Sequence, residues 1–288
     1  MRGRRFRTAA AVVAVAAVLG PVSGCGGSGA GHTPSARGQT RAALALTADL
    51  VKVEDASAKE HSARVEEIHT VGGALRARMT GELDWADGQQ GDFTLTMPSL
   101  PQIPSARFEF RKDAIYMSTP AKFLKLMGGK HWLRTPLGML AAQNATQKAR
   151  VDMIRQANPT LSVRMLIASG DVHRVGRETV RGVAATHYAG TLDASRLATL
   201  RGRGLTPGDV KSLRAELAAK GIKEEHVDVW VDSRDLLVEK RTRVRTTAGE
   251  EMSTAYYSDY GVAVDVSVPA LSDTTLLPPR TPKPSGTA

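Results

Sequence analysis

Cysteine is almost absent from the chain: Cys25 is the only one among 288 residues. A single thiol excludes an internal disulfide and a zinc site built on cysteine pairs. The residues that follow it, Gly26-Gly27-Ser28-Gly29-Ala30-Gly31, have no side chains that could form a core. Cys25 therefore needs an explanation other than packing or pairing.

Long apolar runs are also missing. The run from Ala9 to Leu19 is about half of the roughly 20 residues that span a membrane, and Gly20-Pro21 ends it. Four arginines precede the run, and the small residues Ser23 and Gly24 close the segment. A basic start, a short apolar stretch and small residues before a cut are typical of a secretory signal peptide. We interpret residues 1–24 in this way; the Arg4-Arg5 pair matches a twin-arginine signal poorly.

The end of this segment, Val22-Ser23-Gly24-Cys25, resembles the lipobox of bacterial lipoproteins. In a lipobox the cysteine thiol is diacylated and the chain is cut just before it. The resemblance implies an exported protein that begins at Cys25 and is anchored by its diacylglyceryl cysteine to the outer face of the cytoplasmic membrane. Two acyl chains anchor a protein stably, whereas one does not. A free thiol after a plain signal peptide is the alternative.

Charge of one sign is not concentrated anywhere, because no block of five or six like charges occurs. The net charge of +10 falls to +6 without residues 1–24, which hold four of the 39 basic residues and none of the 29 acidic ones. An exported chain without an aromatic–basic motif is a poor candidate for nucleic-acid binding. A basic surface near a membrane is attracted to anionic headgroups over about 10 Å.

Motifs for catalysis and metal binding are missing too. Gly-x-Ser-x-Gly does not occur, and Gly202-Arg203-Gly204 lacks the further glycine of a phosphate-binding loop. No two of the seven histidines have the i, i+4 spacing of a zinc helix. His131 and His187 are interpreted as ordinary strand or loop residues. The sequence therefore predicts no enzyme, no catalytic residue, no metal and no cofactor.

Low-complexity segments flank one block with the pattern of a globular domain. Residues 25–39 are rich in glycine, serine and polar residues, which predicts a flexible tether. Residues 272–288 are rich in proline, which predicts a disordered tail. The block between them, Thr40 to Leu271, is the predicted domain.

Alternation of apolar and polar residues predicts strands through most of this block. Leu75–Trp85 and Phe93–Met97 alternate on either side of Asp87-Gly88, a hairpin signal. Further strands are expected at 107–111, 115–117, 171–177, 183–192, 227–232, 236–245 and 251–260, and helices at 40–60, 120–127, 137–147, 159–168 and 206–219. Four valines at 262, 264, 266 and 268 continue the alternation. Strands joined by short turns favour an antiparallel sheet with helices over one face, an α+β fold.

In this order of elements the block resembles the LolA-like lipoproteins of the LppX/LprG type. Besides the lipobox, the stretches that carry the resemblance are Asp113–Met117, Leu126–Trp132, Val227–Asp232 and Tyr257–Gly261. The resemblance covers about Thr40 to Leu271. It implies a curved antiparallel sheet, an open half-barrel whose concave face is covered by helices, with an apolar cavity between sheet and helices. It also implies a function in binding or carrying lipids and lipoglycans.

Apolar side chains of the predicted strands and helices would line that cavity. The candidates are Met79, Leu83, Trp85, Phe93, Leu95, Met97, Phe108, Phe110, Ile115, Met117, Trp132 and Met165. If helices cover this face completely it is core, and if they stand off it is a pocket for acyl chains. Segments around Leu126–Gly129 and Leu137–Gln147 are the expected entrance.

Two kinds of partner follow from these observations. The leading hypothesis is a non-enzymatic lipoprotein that is bound to the membrane through lipidated Cys25 and binds a hydrophobic ligand, a lipid or lipoglycan. The alternative is an envelope scaffold or sensory lipoprotein that binds a protein partner, with its sheet face filled by its own side chains.

Overall fold

The fold combines four helices with one large sheet in the part of the chain that the computed structural model describes. The described residues are 36–86, 89–100, 105–144, 147–148, 151, 159–196, 206–246 and 249–276. Their helices are α1 (Ala36–Glu60), α2 (Leu137–Gln143), α3 (Thr160–Ser169) and α4 (Pro207–Lys220). The strands are β1 (Ser62–Val71), β2 (Ala74–Asp84), β3 (Gln90–Thr96), β4 (Ser105–Phe110), β5 (Ala114–Ser118), β6 (Trp132–Pro136), β7 (His173–Val180), β8 (Val183–Asp193), β9 (Glu224–Val231), β10 (Leu237–Thr246), β11 (Gly249–Ser258) and β12 (Thr274–Leu276).

All of these strands belong to one sheet with the order β12-β6-β5-β4-β3-β2-β1-β11-β10-β9-β8-β7. Each neighbouring pair is antiparallel except β12, which runs parallel to β6. Because β12 and β7 are both edges, the sheet is not closed. The prediction of an α+β fold built on an open half-barrel sheet is confirmed, with one parallel edge pair that the sequence did not predict.

The sheet has two faces that differ in what packs on them. On the first, α3 lies against β8 and β9 and is itself packed by α1. Side chains such as Tyr188 and Val229 point into this core. We call this the helical face. The next residues along the strands, His187 and Trp230, lie on the opposite face.

The two ends of the sheet also differ. At one end, Trp85 Nε1 donates a hydrogen bond of 3.2 Å to the Ser57 carbonyl oxygen in α1. This α1 end also carries the turn between β4 and β5. The other end, which we call the rim end, carries the β1–β2 turn, the β3–β4 and β5–β6 connections and the start of β12.

The structure corrects several predicted boundaries. Helix α1 begins at Ala36, inside the predicted tether, and α2 ends at Gln143, earlier than expected. Strand β12 reaches Leu276, so the sheet extends past the predicted boundary at Leu271. The short helix expected at 120–127 is a 3-10 helix at Ala121–Phe123 followed by turns. The Asp87-Gly88 hairpin signal, the signal peptide and Cys25 lie outside the described residues.

The valine alternation after β11 does not form a strand. Residues 262–270 pair with no strand in the described sheet. Side chains of the sheet bind their carbonyl oxygens instead: Ser62 Oγ donates to Val262 at 2.6 Å and Arg111 Nη1 donates to Val266 at 2.9 Å. The segment therefore passes over strand ends at the α1 end before the chain reaches the edge strand β12.

Candidate ligand-binding face

Strand register places most of the predicted cavity residues together on the helical face. Residues directly opposite each other in an antiparallel sheet share a face. The paired residues therefore show which side chains lie on the helical face. These pairs are Met79 with Leu95, Phe93 with Phe108, Phe110 with Ile115, and Met117 with Leu133. Leu83 lies opposite Gly91 on the same face. Period-two alternation therefore predicted this side of β2 to β5 correctly.

Near the α1 end this apolar face is a filled core. Leu83, Trp85, Phe93 and Phe110 are each less than a tenth exposed. The rings of Phe93 and Phe110 lie parallel with centroids 6.0 Å apart, and Trp85 meets Tyr260 edge to face at 6.2 Å. Aromatic contacts of this kind add to the stability gained from burial. These four candidates are structural in the described conformation.

Toward the rim end, and at Ile115 beside the filled core, the same face is only half-buried. The side chains that are neither buried nor fully exposed are those of Met79, Leu95, Met97, Phe108, Ile115, Met117 and Leu133. They are contiguous across β2 to β6, because each strand contributes at least one. We call this set the apolar patch. Leu133 is a member that the sequence reasoning missed, because Trp132-Leu133 is an adjacent apolar pair without period-two alternation.

Two predicted candidates lie elsewhere. Trp132 faces the opposite side of β6 from Leu133, and the guanidinium of Arg107 lies 5.8 Å from its ring centroid. Trp132 is therefore not part of the apolar patch, which corrects the prediction. Met165 in α3 is buried in the core shared with α1, β8 and β9. It supports the helix that covers the sheet.

Two tyrosines of the helical face were missed by the sequence reasoning. Tyr257 joins the core under α3 to the aromatic core around Phe93, and burial raises its pKa. Tyr260 donates a hydrogen bond of 2.8 Å to the Leu237 carbonyl oxygen, and burial raises its pKa well above the ordinary value. The two tyrosines therefore link the filled core to the core under α3.

The helical face becomes polar beside the patch at the rim end. Glu67 of β1 lies directly opposite Met79 and accepts a hydrogen bond of 2.7 Å from Ser253 Oγ. His69 Nε2 lies 3.8 Å from Glu251 Oε2. The apolar patch is therefore bounded by polar side chains on its β1 side and by the edge strands on the other.

A second concave region lies on the opposite face and has different chemistry. It encloses about 660 Å³. Its walls include Arg64, Glu66, Glu82, Asp92, Arg107 and Arg181. These charges neutralise each other in pairs: Arg181 Nη1 lies 2.6 Å from Glu66, and Arg107 Nη2 lies 2.6 Å from Asp92. Arg181 holds the pKa of Glu66 below its ordinary value. This polar groove is not the apolar cavity that the sequence predicted.

Buried carboxyl groups also lie on the opposite face, and Glu109 is the least exposed of them. Glu109 is 1% exposed, and burial raises its pKa although Arg107 lies 3.1 Å away. Its Oε2 has no hydrogen-bond partner. It points away from the apolar patch, because its strand neighbours Phe108 and Phe110 occupy the helical face. Within the described ranges, no group of three or more metal-ligating side chains is assembled, and no helix is long and apolar enough to cross a membrane.

Two curated proteins are similar to this chain over most of its length. A 31.2 kDa protein from the rplA–rplJ intergenic region of Streptomyces griseus is 36% identical over 237 residues, which is 79% of this chain and 77% of that protein. A Streptomyces coelicolor protein named "Putative lipoprotein SCO4650" is 34% identical over 95% of this chain and 96% of that protein. The chain belongs to the family of these two proteins. No protein-family description matches it.

Solved structures with a similar fold include two mycobacterial proteins. LprF from Mycobacterium bovis has 14% identity and a TM-score of 0.47, and it covers 79% of this chain and 98% of its own. The lipoprotein LppX from Mycobacterium tuberculosis has 16% identity and a TM-score of 0.49, with 78% and 99% covered. LppX is one of the lipoproteins that give the predicted family its name.

Proposed function

We propose that the protein is an exported lipoprotein, anchored to the outer face of the cytoplasmic membrane through Cys25, that holds a lipid or lipoglycan on the apolar patch of its sheet. The observation that carries this proposal is the change in burial along one face. The same row of strands is a filled core at the α1 end and half-buried at the rim end. A lipoprotein relative of nearly full length supports the anchor.

The patch suits acyl chains better than a polar ligand. Its seven members carry no charge and no hydrogen-bonding group except the methionine sulfurs, which are weak acceptors. Methionine is flexible and adapts to irregular surfaces, and three of the seven are methionines. Each methylene that moves from water to such a surface gains about 0.8 kcal/mol. Acyl chains can therefore be held without any specific polar contact.

The packed part of the helical face limits where the ligand can bind. The core under α3 includes Leu166, Val229 and Leu237, each fully buried and packed in one cluster. The ligand is therefore expected across β3 to β6, next to Met117 and Leu133, and not under α3.

Native mass spectrometry of the chain from residue 25 onward, with Cys25→Ser to prevent acylation, tests the proposal. Every described helix and strand begins at Ala36 or later, so this chain keeps the whole fold. We expect mass additions of lipid size that are lost on organic extraction and restored by incubation with phospholipid. The proposal is wrong if the folded protein carries no lipid and binds neither phospholipid nor a fluorescent fatty acid.

A further inference from the structure

Exposed apolar side chains gather at the rim end of the sheet. Leu126 is 76% exposed and Leu271 is 83% exposed, the most exposed large apolar side chains in the described part of the chain. Leu75, after the β1–β2 turn, and Leu100, in the β3–β4 connection, are more than a third exposed at the same end. We call these four residues and the lysines described next the rim.

Backbone hydrogen bonds order the loop that carries the exposed Leu126. The Thr119 N–H donates to the His131 carbonyl oxygen at 2.7 Å and closes the base of the loop. The Gly129 N–H donates to the Leu124 carbonyl oxygen at 2.7 Å, and Gly128 and Gly129 both have positive φ, which glycine adopts without strain. The loop is therefore an ordered turn, and Leu126 stands at its tip.

A second set of contacts ties this loop to the segment of Leu271. The backbone N–H of His131 donates to Asp273 Oδ1 at 3.0 Å, and its Nδ1 lies 2.7 Å from the same oxygen. Lys130 Nζ donates to the Ser272 carbonyl oxygen. Leu126 and Leu271 therefore belong to one surface, although 145 positions separate them in the sequence.

Positive charge lies beside Leu126 and next to the segment of Leu271. No aspartate or glutamate occurs between Asp113 and Asp152 in the sequence, whereas six basic residues do. Among them, Lys122 and Lys125 lie in the loop of Leu126 and are exposed. Asp273, an acid that contacts this loop, is paired with His131. Apolar side chains flanked by lysines are the pattern of a surface that binds an anionic lipid interface.

The apolar patch opens at the same end. Leu95 and Met97 lie at the end of β3, Met117 at the end of β5, and Leu133 at the start of β6. These are the strand ends from which the rim segments leave the sheet. A surface that contacts the rim therefore also faces the exposed border of the patch.

We propose that the rim docks on the anionic lipid bilayer to which the chain is anchored, with Leu126 and Leu271 entering the interface and Lys122 and Lys125 facing the headgroups. Docking in this orientation brings the apolar patch to the acyl chains, so a ligand passes between bilayer and protein without crossing water. This inference rests on the proposed function, from which it takes the anchor and the ligand.

Vesicle co-sedimentation of the Cys25→Ser chain, from residue 25 onward, tests this orientation. We expect binding to phosphatidylcholine vesicles with about one third phosphatidylglycerol, weak binding to phosphatidylcholine alone, and loss of binding at high salt. The double substitution Lys122→Glu and Lys125→Glu should weaken binding at least about tenfold. Leu126→Ser with Leu271→Ser should weaken it by a similar factor.

Matched controls separate the rim from general charge and hydrophobicity. Lys59→Glu with Lys112→Glu makes the same change of charge at exposed positions of the α1 end, and Val183→Ser removes a 41% exposed apolar side chain there. Both controls should bind within about twofold of the unsubstituted chain. Thermal unfolding of each variant checks that the fold is kept.

Two results would overturn the docking proposal: no binding to anionic vesicles, or equal losses in the rim and control variants. These results differ from a failure of the proposed function. If lipid co-purifies with the chain but the rim variants bind vesicles normally, the proposed function is supported and the docking proposal is wrong. If the chain docks through the rim but holds no lipid, the docking proposal is supported and the proposed function is wrong.

Discussion

The imidazole of His187 lies against the indole of Trp230, with ring centroids 4.1 Å apart and an interplanar angle of 17°. Its Nδ1 lies 2.8 Å from Glu178 Oε1, and its Nε2 lies 2.8 Å from Asp228 Oδ1. Trp230 Nε1 donates to the other Glu178 oxygen at 2.9 Å. Since both ring nitrogens face carboxylates, His187 is a fixed member of a polar network that joins β7, β8 and β9. The sequence reasoning had treated it as an ordinary strand residue.

This network predicts a pH dependence of stability. Hydrogen bonds from Trp230 and His187 hold the pKa of Glu178 below its ordinary 4.5. The charged form is favoured in the folded state, so its contribution is present above pH 4.5 and is lost as the pH falls through the lower pKa of the folded protein. Glu178→Gln should therefore reduce the free energy of unfolding near neutral pH, and the difference should vanish in acid.

Urea unfolding across this pH range measures the difference. Glu224→Gln, at an exposed position that begins β9, is the control and should show no comparable pH-dependent loss. A Glu178→Gln variant whose deficit is the same at neutral and acid pH would contradict the assignment.

The position of Gly81 is expected to tolerate no side chain. A Cβ built there would lie 2.0 Å from the Asp92 carbonyl oxygen and 2.7 Å from Phe93 Cα. Both are backbone atoms of β3 and cannot turn aside, so the strands must separate. Gly81→Ala should lower the free energy of unfolding by about 3 kcal/mol. Gly138→Ala, where nothing lies within 4 Å of the added carbon, should be within about 0.5 kcal/mol of the parent chain.

Denaturant unfolding of the two glycine variants gives both values. Equal stability of Gly81→Ala and the parent chain would show that β2 and β3 are not this close in solution.

Adjacent residues of β3 provide a test of the ligand face. Leu95 lies in the apolar patch, whereas Thr94 is exposed on the opposite face. Leu95→Glu places a charge beside the acyl chains, and burying an unpaired charge is unfavourable. We expect it to reduce the lipid retained on purification at least about tenfold. Thr94→Glu introduces the same group one residue away and should leave lipid retention unchanged.

Mass spectrometry of lipid extracts from equal amounts of folded protein compares the two variants. Equal loss of lipid from both would place the ligand somewhere other than the helical face.

Where apolar and polar residues alternate without a break, the sequence was sufficient to predict which face of the sheet each side chain occupies. Leu83 and Phe93 were assigned correctly because the pleat turns every second residue to the same face. Trp132 was assigned wrongly because the sequence predicts no strand at 132–136, and its side of the sheet follows from how β6 pairs with β5. The loop between these two strands is closed by the hydrogen bond from the Thr119 N–H to the His131 carbonyl oxygen, and loop geometry is not visible in an apolar pattern.

Other elements were not predicted correctly because of their composition or their surroundings in the fold. Strand β1 places Glu67 and His69 on the helical face, so its alternation carries charge where a core strand would be apolar. The valines after β11 alternate, yet alternation alone supplies no neighbouring strand, and sheet side chains take their carbonyl groups instead. The half-burial of the apolar patch depends on how far the covering elements stand from the sheet, which no local pattern encodes.

The backbone and side chain of His131 both contact Asp273, and we call these contacts the clip. Removing the clip is expected to loosen the edge of the sheet locally. Hydrogen bonds from the backbone and side chain of His131 lower the pKa of Asp273. Both groups are exposed to solvent, which screens the pair, so it adds little to global stability. Its effect should be local, since β12 has only three residues and pairs only with β6. Asp273→Ala should leave the unfolding midpoint nearly unchanged.

Hydrogen exchange measures the local effect. Amides of Thr274–Leu276 and Trp132–Thr135 should exchange faster in Asp273→Ala, because local opening of the edge needs less free energy once the clip is gone. Asp265→Ala, an exposed change in the same segment before β12, should leave these amides protected. The two variants carry the same change of charge, so a difference between them isolates the clip. Unaltered exchange in both would mean that the strand pairing alone holds the edge, and Leu271 would then be positioned without help from His131.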